Sequence, residues 1–195
     1  NNNPSEVNVT ATNVTYGNAS EITVKVPTVQ TGYVTITVND TLINVTVKIV
    51  NGEAKFNATG LDVGKYRVDV IYLGDKLYIA NSNYTYFNIT KANLTASAIG
   101  LNVTVEENAA IIIGVPLDFD GNIKVNLTDV VYDKPISLID LGKLPAGSHT
   151  ANVTFYDSKN YNNKSIIVTF EVYRVAPNIT ATIGDTRYPD KAVIA

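Results

Sequence analysis

The sequence contains no cysteine, no methionine, no tryptophan and only one histidine among its 195 residues. Without cysteine, the chain forms no disulfide, offers no thiolate nucleophile and holds no cysteine-ligated zinc. A single histidine removes most general-base and nucleophilic schemes, because these usually place a histidine beside the nucleophile. No glycine-rich phosphate loop is apparent either. The sequence therefore predicts a protein without catalytic residues, cofactor or metal.

An excess of charge of one sign is also missing. The chain has 15 Lys and Arg against 18 Asp and Glu, a net charge of −3, and its basic residues form no stripe. Nucleic acids and anionic membrane surfaces are both bound through clustered Lys and Arg, so we expect neither as a partner. The longest apolar run, Ala109–Val115, is far shorter than the ~20 residues that span a bilayer. We expect no membrane insertion in this segment, and residues 1–4 do not resemble a signal peptide.

What the sequence does contain is the composition of β-strands. Hydrophobic residues make up 45% of the chain and charged residues 17%, which is enough to bury a core, and Val, Ile, Tyr and Thr are abundant. Alternation of apolar and polar residues places Tyr66, Val68, Val70 and Tyr72 on one face of a strand, which we expect to point into the core. The Asn-Gly pair at 51–52 predicts a two-residue hairpin turn. Seven strands are predicted in the first half of the chain: Val7–Thr12, Glu21–Val26, Tyr33–Val38, Ile43–Ile49, Ala54–Ala58, Tyr66–Tyr72 and Tyr84–Ile89.

The chain repeats internally, which is typical of arrays of similar domains. The tetrapeptide N-x-T-A begins at Asn8, Asn93 and Asn178, at a constant spacing of 85 residues. A Val-Pro pair follows in each complete repeat, at Val26-Pro27 and at Val115-Pro116. We therefore expect three segments along the chain: one repeat at residues 1–92, a second at residues 93–177, and the start of a third at residues 178–195.

Seven short strands in about 85 residues are typical of an immunoglobulin-type sandwich of two antiparallel sheets. The predicted fold is all-β, with two tandem immunoglobulin-like β-sandwich domains plus the first strands of a third repeat. The strands Tyr66–Tyr72 and Thr150–Tyr156 are expected to be equivalent. The joints, Lys91-Ala92 and Ala176-Pro177, are only a residue or two long. Linkers this short predict a stiff rod rather than freely moving domains.

The landmarks of the repeat also resemble a known family. The pattern V-P-x4-G-x-[VI], then G-x-Y at a strand start, then Y-x-G-D-x-x-Y is similar to the Ig-like repeats of large adhesin-like surface proteins of archaea, especially methanogens, and of their bacterial relatives. The second repeat departs from it at His149 and at Asp157-Ser158. The resemblance implies an extracellular, cell-surface location and a role in attachment, without catalysis. In the first repeat the pattern consists of Val26, Pro27, Gly32, Val34, Gly64, Tyr66, Tyr72, Gly74, Asp75 and Tyr78.

Asparagines in the sequence N-x-[ST] are the most informative signal of function, because exported proteins are N-glycosylated there. With 23 Asn and 30 Ser or Thr in 195 residues, random placement would give 23 × 30/195, or about 3.5, such sequences, and the chain has fourteen. The excess predicts glycosylation, although Asn and Thr that alternate with Val on solvent-exposed faces would also produce it. The candidate sites are Asn8, Asn13, Asn18, Asn39, Asn44, Asn57, Asn83, Asn88, Asn93, Asn102, Asn126, Asn152, Asn163 and Asn178.

Three further features allow more than one interpretation. His149 stands where the first repeat has Tyr66, so we expect it to bond the backbone as a tyrosine corner does, rather than to join a catalytic triad. The segment Asp118–Asn122 fits either a solvated turn or a fragment of a calcium loop. We favour the turn, because the first repeat has Thr28–Thr31 at this place. Gln30, the sole glutamine, leaves an internal Thr–Gln ester cross-link open, and a Lys–Asn isopeptide cross-link stays open as well.

Together these features predict a non-catalytic cell-surface adhesin or stalk module that acts as a rigid, glycosylated extracellular spacer. Its expected partners are neighbouring Ig-like repeats, other copies of itself or a cell-surface ligand. The alternative is a subunit of a self-assembling extracellular filament, in which residues 178–195 pair with a sheet of another copy.

Overall fold

The structure is a computed structural model that describes residues 2–128, 131–132 and 137–179, with Tyr132 described by its backbone alone. Over these ranges the chain forms strands and turns, and none of it forms a helix able to cross a bilayer. The first eight strands are β1 (Asn8–Ala11), β2 (Val14–Thr15), β3 (Ser20–Lys25), β4 (Tyr33–Val38), β5 (Asn44–Lys48), β6 (Glu53–Ala58), β7 (Gly64–Tyr72) and β8 (Asn81–Thr90). The next eight are β9 (Ser97–Gly100), β10 (Val103–Thr104), β11 (Ala109–Gly114), β12 (Asn122–Val125), β13 (Val131–Tyr132), β14 (Leu138–Gly142), β15 (Gly147–Tyr156) and β16 (Lys164–Tyr173).

Each set of eight strands forms one sandwich of a three-stranded and a five-stranded sheet. In the first unit, β1–β8, the sheet orders are β1-β3-β6 and β2-β8-β7-β4-β5. In the second unit, β9–β16, they are β9-β11-β14 and β10-β16-β15-β12-β13. The short second strand of each unit runs parallel to its last strand. The chain is therefore all-β, with two immunoglobulin-like sandwiches of the same topology in tandem.

Each sandwich has an apolar core of its own. The first core draws on residues 7–89 and the second on residues 94–172. In β7, Val68, Val70 and Tyr72 are fully buried, and Tyr66 stacks on Phe87 with ring centroids 5.4 Å apart. The predicted inward face of this strand is therefore confirmed. The predicted domain boundaries at residues 92 and 177 stay predictions.

One side-chain bond to the backbone fixes the start of β7 and of β15. The hydroxyl of Tyr66 donates to the carbonyl of Asp62 at 2.9 Å, and Nε2 of His149 donates to the carbonyl of Pro145 at 2.7 Å. His149 also stacks on Phe170, with ring centroids 5.6 Å apart. The predicted structural role of His149 as a replacement for the corner tyrosine is confirmed.

The predicted hairpin turn at residues 51–52 is also confirmed. Asn51 and Gly52 both adopt positive φ angles, 50° and 76°, as the tightest hairpin turn requires. The flanking Val50 and Glu53 exchange two backbone hydrogen bonds of 2.9 and 3.0 Å. A Cβ atom on Gly52 would lie 2.7 Å from the carbonyl oxygen of Val26, so only glycine fits.

The first two N-x-T-A motifs are not structurally equivalent, contrary to what their spacing suggests. Asn8 pairs with Lys25 at the start of the first unit, whereas Ser97 takes this place in the second unit by pairing with Gly114. The first strands are thus 89 residues apart. The second motif precedes its strand because Leu94 within it is buried in the core, which fixes the chain before the strand begins.

Strand pairing also shifts a second predicted equivalence by one residue. Val34 pairs with Tyr72 in the first unit, and Ile123 pairs with Phe155 in the second. Tyr72 therefore corresponds to Phe155 and not, as predicted from Tyr66–Tyr72 and Thr150–Tyr156, to the partly exposed Tyr156 that follows. Equivalent residues are 89 apart in the first half of each unit and 83 apart in the last two strands.

The predicted third repeat, residues 178–195, lies outside the described residues from position 180 onward. The two of its residues that are described, Asn178 and Ile179, form no strand. Its pairing with another copy stays a prediction.

We expect the substitution Val68→Ala to lower the free energy of unfolding by about 1–3 kcal/mol, because it leaves a cavity in a fully buried position. Thr46→Ala, on the exposed face of β5, should change it by less than about 0.5 kcal/mol. Both values can be measured by chemical denaturation. Equal losses from the two variants would contradict the inward orientation of Val68.

Candidate functional site: the joint between the two units

The linker between the units is bonded into the second unit. Lys91 and Ala92 follow the last strand of the first unit, and the backbone of Ala92 accepts from Asn162 at 2.8 Å and donates to Asn160 at 3.0 Å. The ammonium of Lys91 donates to the carbonyl of Ser158 at 2.6 Å. All three partners belong to the loop between β15 and β16. The linker therefore continues the backbone pairing of the second unit and offers no free swivel.

The first unit faces this loop with the end that we call its lower face, which includes Tyr16, Asp62 and Val63. The carboxylate of Asp62 accepts from the ammonium of Lys159 and from Nδ2 of Asn160, the latter at 2.9 Å. The other end of the same amide, Oδ1 of Asn160, accepts from the backbone N–H of Val63 at 2.9 Å. Asn160 is only 6% exposed. Both its donor and its acceptor are therefore satisfied by the neighbouring unit.

A second contact joins Tyr16 to the loop between β11 and β12. The Tyr16 hydroxyl donates to the carboxylate of Asp118 at 2.7 Å, and the Tyr161 hydroxyl donates to the same carboxylate at 2.9 Å. The two tyrosine rings meet edge to face, with centroids 5.5 Å apart. One carboxylate thus binds one hydroxyl from each unit.

These contacts favour the ionised carboxylates. The hydrogen bond from Lys159, and to a smaller extent the one from Asn160, lowers the pKa of Asp62. The hydrogen bond from Tyr16 lowers the pKa of Asp118. Burial, together with the bond to Asp118, raises the pKa of Tyr161 to about 12. At neutral pH the joint therefore contains two carboxylates and two neutral phenols, each with a bonding partner.

The loops that contact the first unit are held together by a bond between a hydroxyl and a carboxylate. Asp120 accepts from the hydroxyl of Ser158 at 2.7 Å. In the first unit the equivalent loops, which follow β3 and β7, are joined by Thr31, whose N–H and hydroxyl donate to Asp75 at 2.9 and 3.0 Å. Since Thr31 corresponds to Asp120 and Asp75 to Ser158, the two units make the same link with its chemical groups exchanged.

The segment Asp118–Asn122, which the sequence left between a turn and a calcium fragment, serves the joint. Both of its carboxylates accept hydrogen bonds from protein donors. Within the described ranges, no three His, Cys, Asp or Glu residues lie close enough together to hold a metal ion.

Gln30, the residue considered for a cross-link, is buried, and its amide pairs with the backbone N–H and carbonyl of Glu6 at 2.9 and 3.1 Å.

The sequon asparagines are distributed over both units. All of them are exposed except Asn39, which is half-buried. In three of them the side-chain oxygen accepts from a backbone N–H of a neighbouring strand or loop at 2.8 Å: Asn13, Asn102 and Asn126. This use of the oxygen leaves the amide nitrogen, the atom that carries a glycan, available. Both origins of the sequon excess that the sequence suggested are thus compatible with the structure.

Two sequon asparagines use the amide nitrogen itself. Nδ2 of Asn18 donates to the hydroxyl and carbonyl of Thr15 at 2.8 and 3.3 Å, and Nδ2 of Asn83 donates to the carbonyl of Val7 at 2.9 Å. A glycan replaces a hydrogen of this group. Asn18 and Asn83 are therefore the candidates least suited to modification.

Sequence reasoning did not select most residues of the joint. Asp62 belongs to no motif, Lys159 and Asn160 fall on the variable positions of the pattern Y-x-G-D-x-x-Y, and Tyr16 and Asp118 were each selected only as part of a turn. A signal was nonetheless present, because most of these positions differ in chemical type between the repeats. Residues that keep the fold should match in type between two copies, so a mismatch in a loop marks a contact that only one copy makes.

We expect acid to loosen the joint before it unfolds the sandwiches. The lowered pKa values mean that the contribution of Asp62 and Asp118 is complete above the ordinary carboxyl pKa of about 4 and is lost as pH falls through the lowered values. Spin labels at Thr46→Cys and Thr169→Cys, both exposed, should report a narrow distance distribution at pH 7 that broadens below pH of about 4. The double variant Asp62→Asn, Asp118→Asn should give a broad distance distribution at both pH values. A distribution that is narrow in all four cases would contradict the role of these carboxylates.

No protein-family model matches the chain, and no curated protein is similar to it. Among solved structures, it is similar to domains A168–A170 of titin (12% identity, 88% of this chain and 66% of that one, TM-score 0.46). It is also similar to the fibronectin(III)-like modules of Clostridium thermocellum CbhA (16%, 87% and 95%, TM-score 0.35). A membrane-anchored protein from Corynebacterium diphtheriae is a further match (14%, 90% and 60%, TM-score 0.39). With TM-scores below 0.5, these likenesses carry no conclusion about function, and the sheet order itself identifies the immunoglobulin-like fold.

Proposed function

We propose that this chain is a rigid, non-catalytic spacer module of an extracellular surface protein. The observation that carries the proposal is the joint, in which a short linker and two polar contacts fix one sandwich on the next. A spacer has to transmit position and force along its length. Domains that pivot freely would do neither.

The joint favours one arrangement of the units because undocking would leave polar groups without partners. A single exposed ion pair such as Asp62–Lys159 contributes little, because solvent screens it. The buried amide of Asn160 matters more, since it loses bonds at both ends when the units separate. Because all these groups act on one pair of surfaces, they select a single orientation together.

Glycosylation is the second part of the proposal. The fourteen sequons are spread over both units, and all but one are exposed. Glycans on these faces would keep neighbouring copies apart and protect loops from proteases. Such glycans would require export, so the two parts of the proposal, glycosylation and an extracellular location at the cell surface, are consistent with each other.

The rigidity is tested with the same pair of spin labels. Adding Asp62→Ala and Asn160→Ala should broaden the distance distribution, because it removes the contacts that orient the joint. Glu53→Ala removes a carboxylate that pairs with Lys25 and Lys55 elsewhere on the first unit and should leave the distribution narrow. If the distance distribution of the wild-type chain were as broad as that of the double variant, the proposed rigid spacer would be overturned.

The glycosylation is tested by mass. Material from a native expression host should exceed the 21.1 kDa polypeptide by whole glycan units, and peptide mapping should find Asn18 and Asn83 the least occupied. An intact mass equal to that of the bare polypeptide would leave strand alternation as the source of the sequons.

A further inference from the structure

Two faces that lie outside the joint are complementary to each other. One consists of the loops of the first unit that follow β3 and β7, which we call its upper loops. The other is the lower face of the second unit, which includes Val105, Pro145 and Ala146, the equivalents of Tyr16, Asp62 and Val63. We propose that the upper loops of one copy dock on the lower face of the second unit of another copy, so that chains associate end to end. The proposal does not depend on the spacer function and uses only the geometry of the joint.

Strand pairing fixes which residues correspond to those of the joint. In the first half of a unit equivalents are 89 residues apart, as for Val14 and Val103, which pair with the last strand of their units. The corner bonds make Asp62 equivalent to Pro145. Each residue of the two polar contacts therefore has an equivalent residue on one of these two faces.

The upper loops also keep the backbone geometry with which the second unit receives its linker. Asn3 accepts from Ile79 at 3.0 Å and donates to Leu77 at 2.7 Å. Ala92 makes the same two bonds with the second unit, and both are parallel bridges. Leu77 therefore stands where Asn160 stands in the joint.

Residues that are polar in the joint are replaced by apolar residues on both faces of the proposed contact. In the joint, Tyr16 bonds Asp118. The equivalent of Tyr16 is Val105, and the equivalent of Asp118 is Val29. Since Val29 lies on the upper loops and Val105 on the opposite lower face, the change is matched across the proposed contact.

The contact centred on Asn160 changes in the same way. Asn160 bonds Asp62 and the backbone of Val63; the equivalents of Asp62 and Val63 are Pro145 and Ala146. Leu77, in the place of Asn160, would therefore pack on Pro145 and Ala146. Where the joint has an amide side chain between a carboxylate and a backbone N–H, the proposed contact has a leucine side chain between a proline and an alanine.

Four of these five residues are exposed, which supports a contact surface, while Val105 is half-buried against the core of its own unit. Val29 and Leu77 are each 63% exposed and flank an open depression of about 460 Å³ on the upper loops. Pro145 and Ala146 are exposed as well. Docking removes these apolar side chains from water, which is favourable in proportion to the area covered.

The same chemistry disfavours incorrect pairings. If the upper loops of the first unit met the lower face of a first unit, Asp62 would lie against Leu77 and lose its bond to the amide of Asn160, keeping only a lysine, because Lys76 stands in the place of Lys159. If the lower face of a second unit met the upper loops of a second unit, Asp118 would lie against Val105 and lose the hydroxyl of Tyr16, keeping that of Tyr161. Each mismatched pairing therefore removes a hydrogen bond from a carboxylate, which is unfavourable.

A second copy of the chain is the occupant because one chain contains both halves of this contact. The two faces lie at opposite ends, so the contact is heterologous and builds chains rather than closed pairs. Without the tether that holds the internal joint together, association between separate copies is expected to be weak. Trapping the contact as a disulfide is therefore a more sensitive test than measuring the molecular mass of the assembly in solution.

The absence of cysteine allows such trapping with single substitutions. Leu77→Cys and Ala146→Cys chains are mixed in equal amounts under mild oxidation, and the disulfide products are counted by mass. Random collision would give the mixed dimer as about half of the dimers, or twice the amount of either homodimer. Head-to-tail docking places these two positions together and should raise the mixed dimer well above that twofold ratio. A statistical mixture would overturn the proposal.

Two control experiments separate this result from misfolding and from unspecific oxidation. The double variant Val63→Cys, Asn160→Cys places the equivalent pair inside one chain and should form an intramolecular disulfide. Adding Val29→Asp to the Leu77→Cys chain should return the mixture to the statistical ratio, because it puts a carboxylate against Val105. If Val29→Asp left an enrichment unchanged, the proposed faces would be wrong. Distances between the spin labels within one chain should not respond to Val29→Asp, so failure here is distinguishable from failure of the rigid spacer.

Discussion

Each unit must bury one side of two sheets with a short chain, and this requirement governs most of the structure. Successive strand residues alternate between core and solvent, so a shift of one residue would expose a whole inner face. Fully buried pairs such as Val34 and Tyr72, or Ile123 and Phe155, set the register in the two units. The outward residues are left free to vary. This is why the sheets of the two units share one order while their outer faces differ.

The loops at the ends of the sandwiches then decide what each unit contacts. Their backbone is held by a link between a hydroxyl and a carboxylate, made by Thr31 with Asp75 in one unit and by Ser158 with Asp120 in the other. The link is present in both units although its hydroxyl and its carboxylate have changed places. It can therefore hold the loop backbone while neighbouring residues differ between the units. The joint uses that freedom for polar groups, and the upper loops of the first unit use it for Val29 and Leu77. One framework thereby supports contacts of different chemistry.

The asparagines show how a single residue type serves two purposes. Asn13 and Asn102 occupy equivalent positions, and each side-chain oxygen bonds a backbone N–H of the last strand of its unit. These bonds stabilise the point at which the first strand crosses to the other sheet. The amide nitrogen is left outward, where a glycan can be attached. A high sequon density can therefore be maintained by folding and used by glycosylation at the same time.

The sequence by itself determined the strands, the class of fold and the turn at Asn51-Gly52, because alternation and turn chemistry are local properties. It also determined the role of His149, since its match with Tyr66 needs only the alignment of one strand start. Only the tertiary structure decided that the first two N-x-T-A motifs are not equivalent, because register depends on which residue, such as Leu94, is buried. It alone brought Asp62 to Asn160, nearly a hundred residues away, since a contact between two folded surfaces leaves no periodic pattern in the chain.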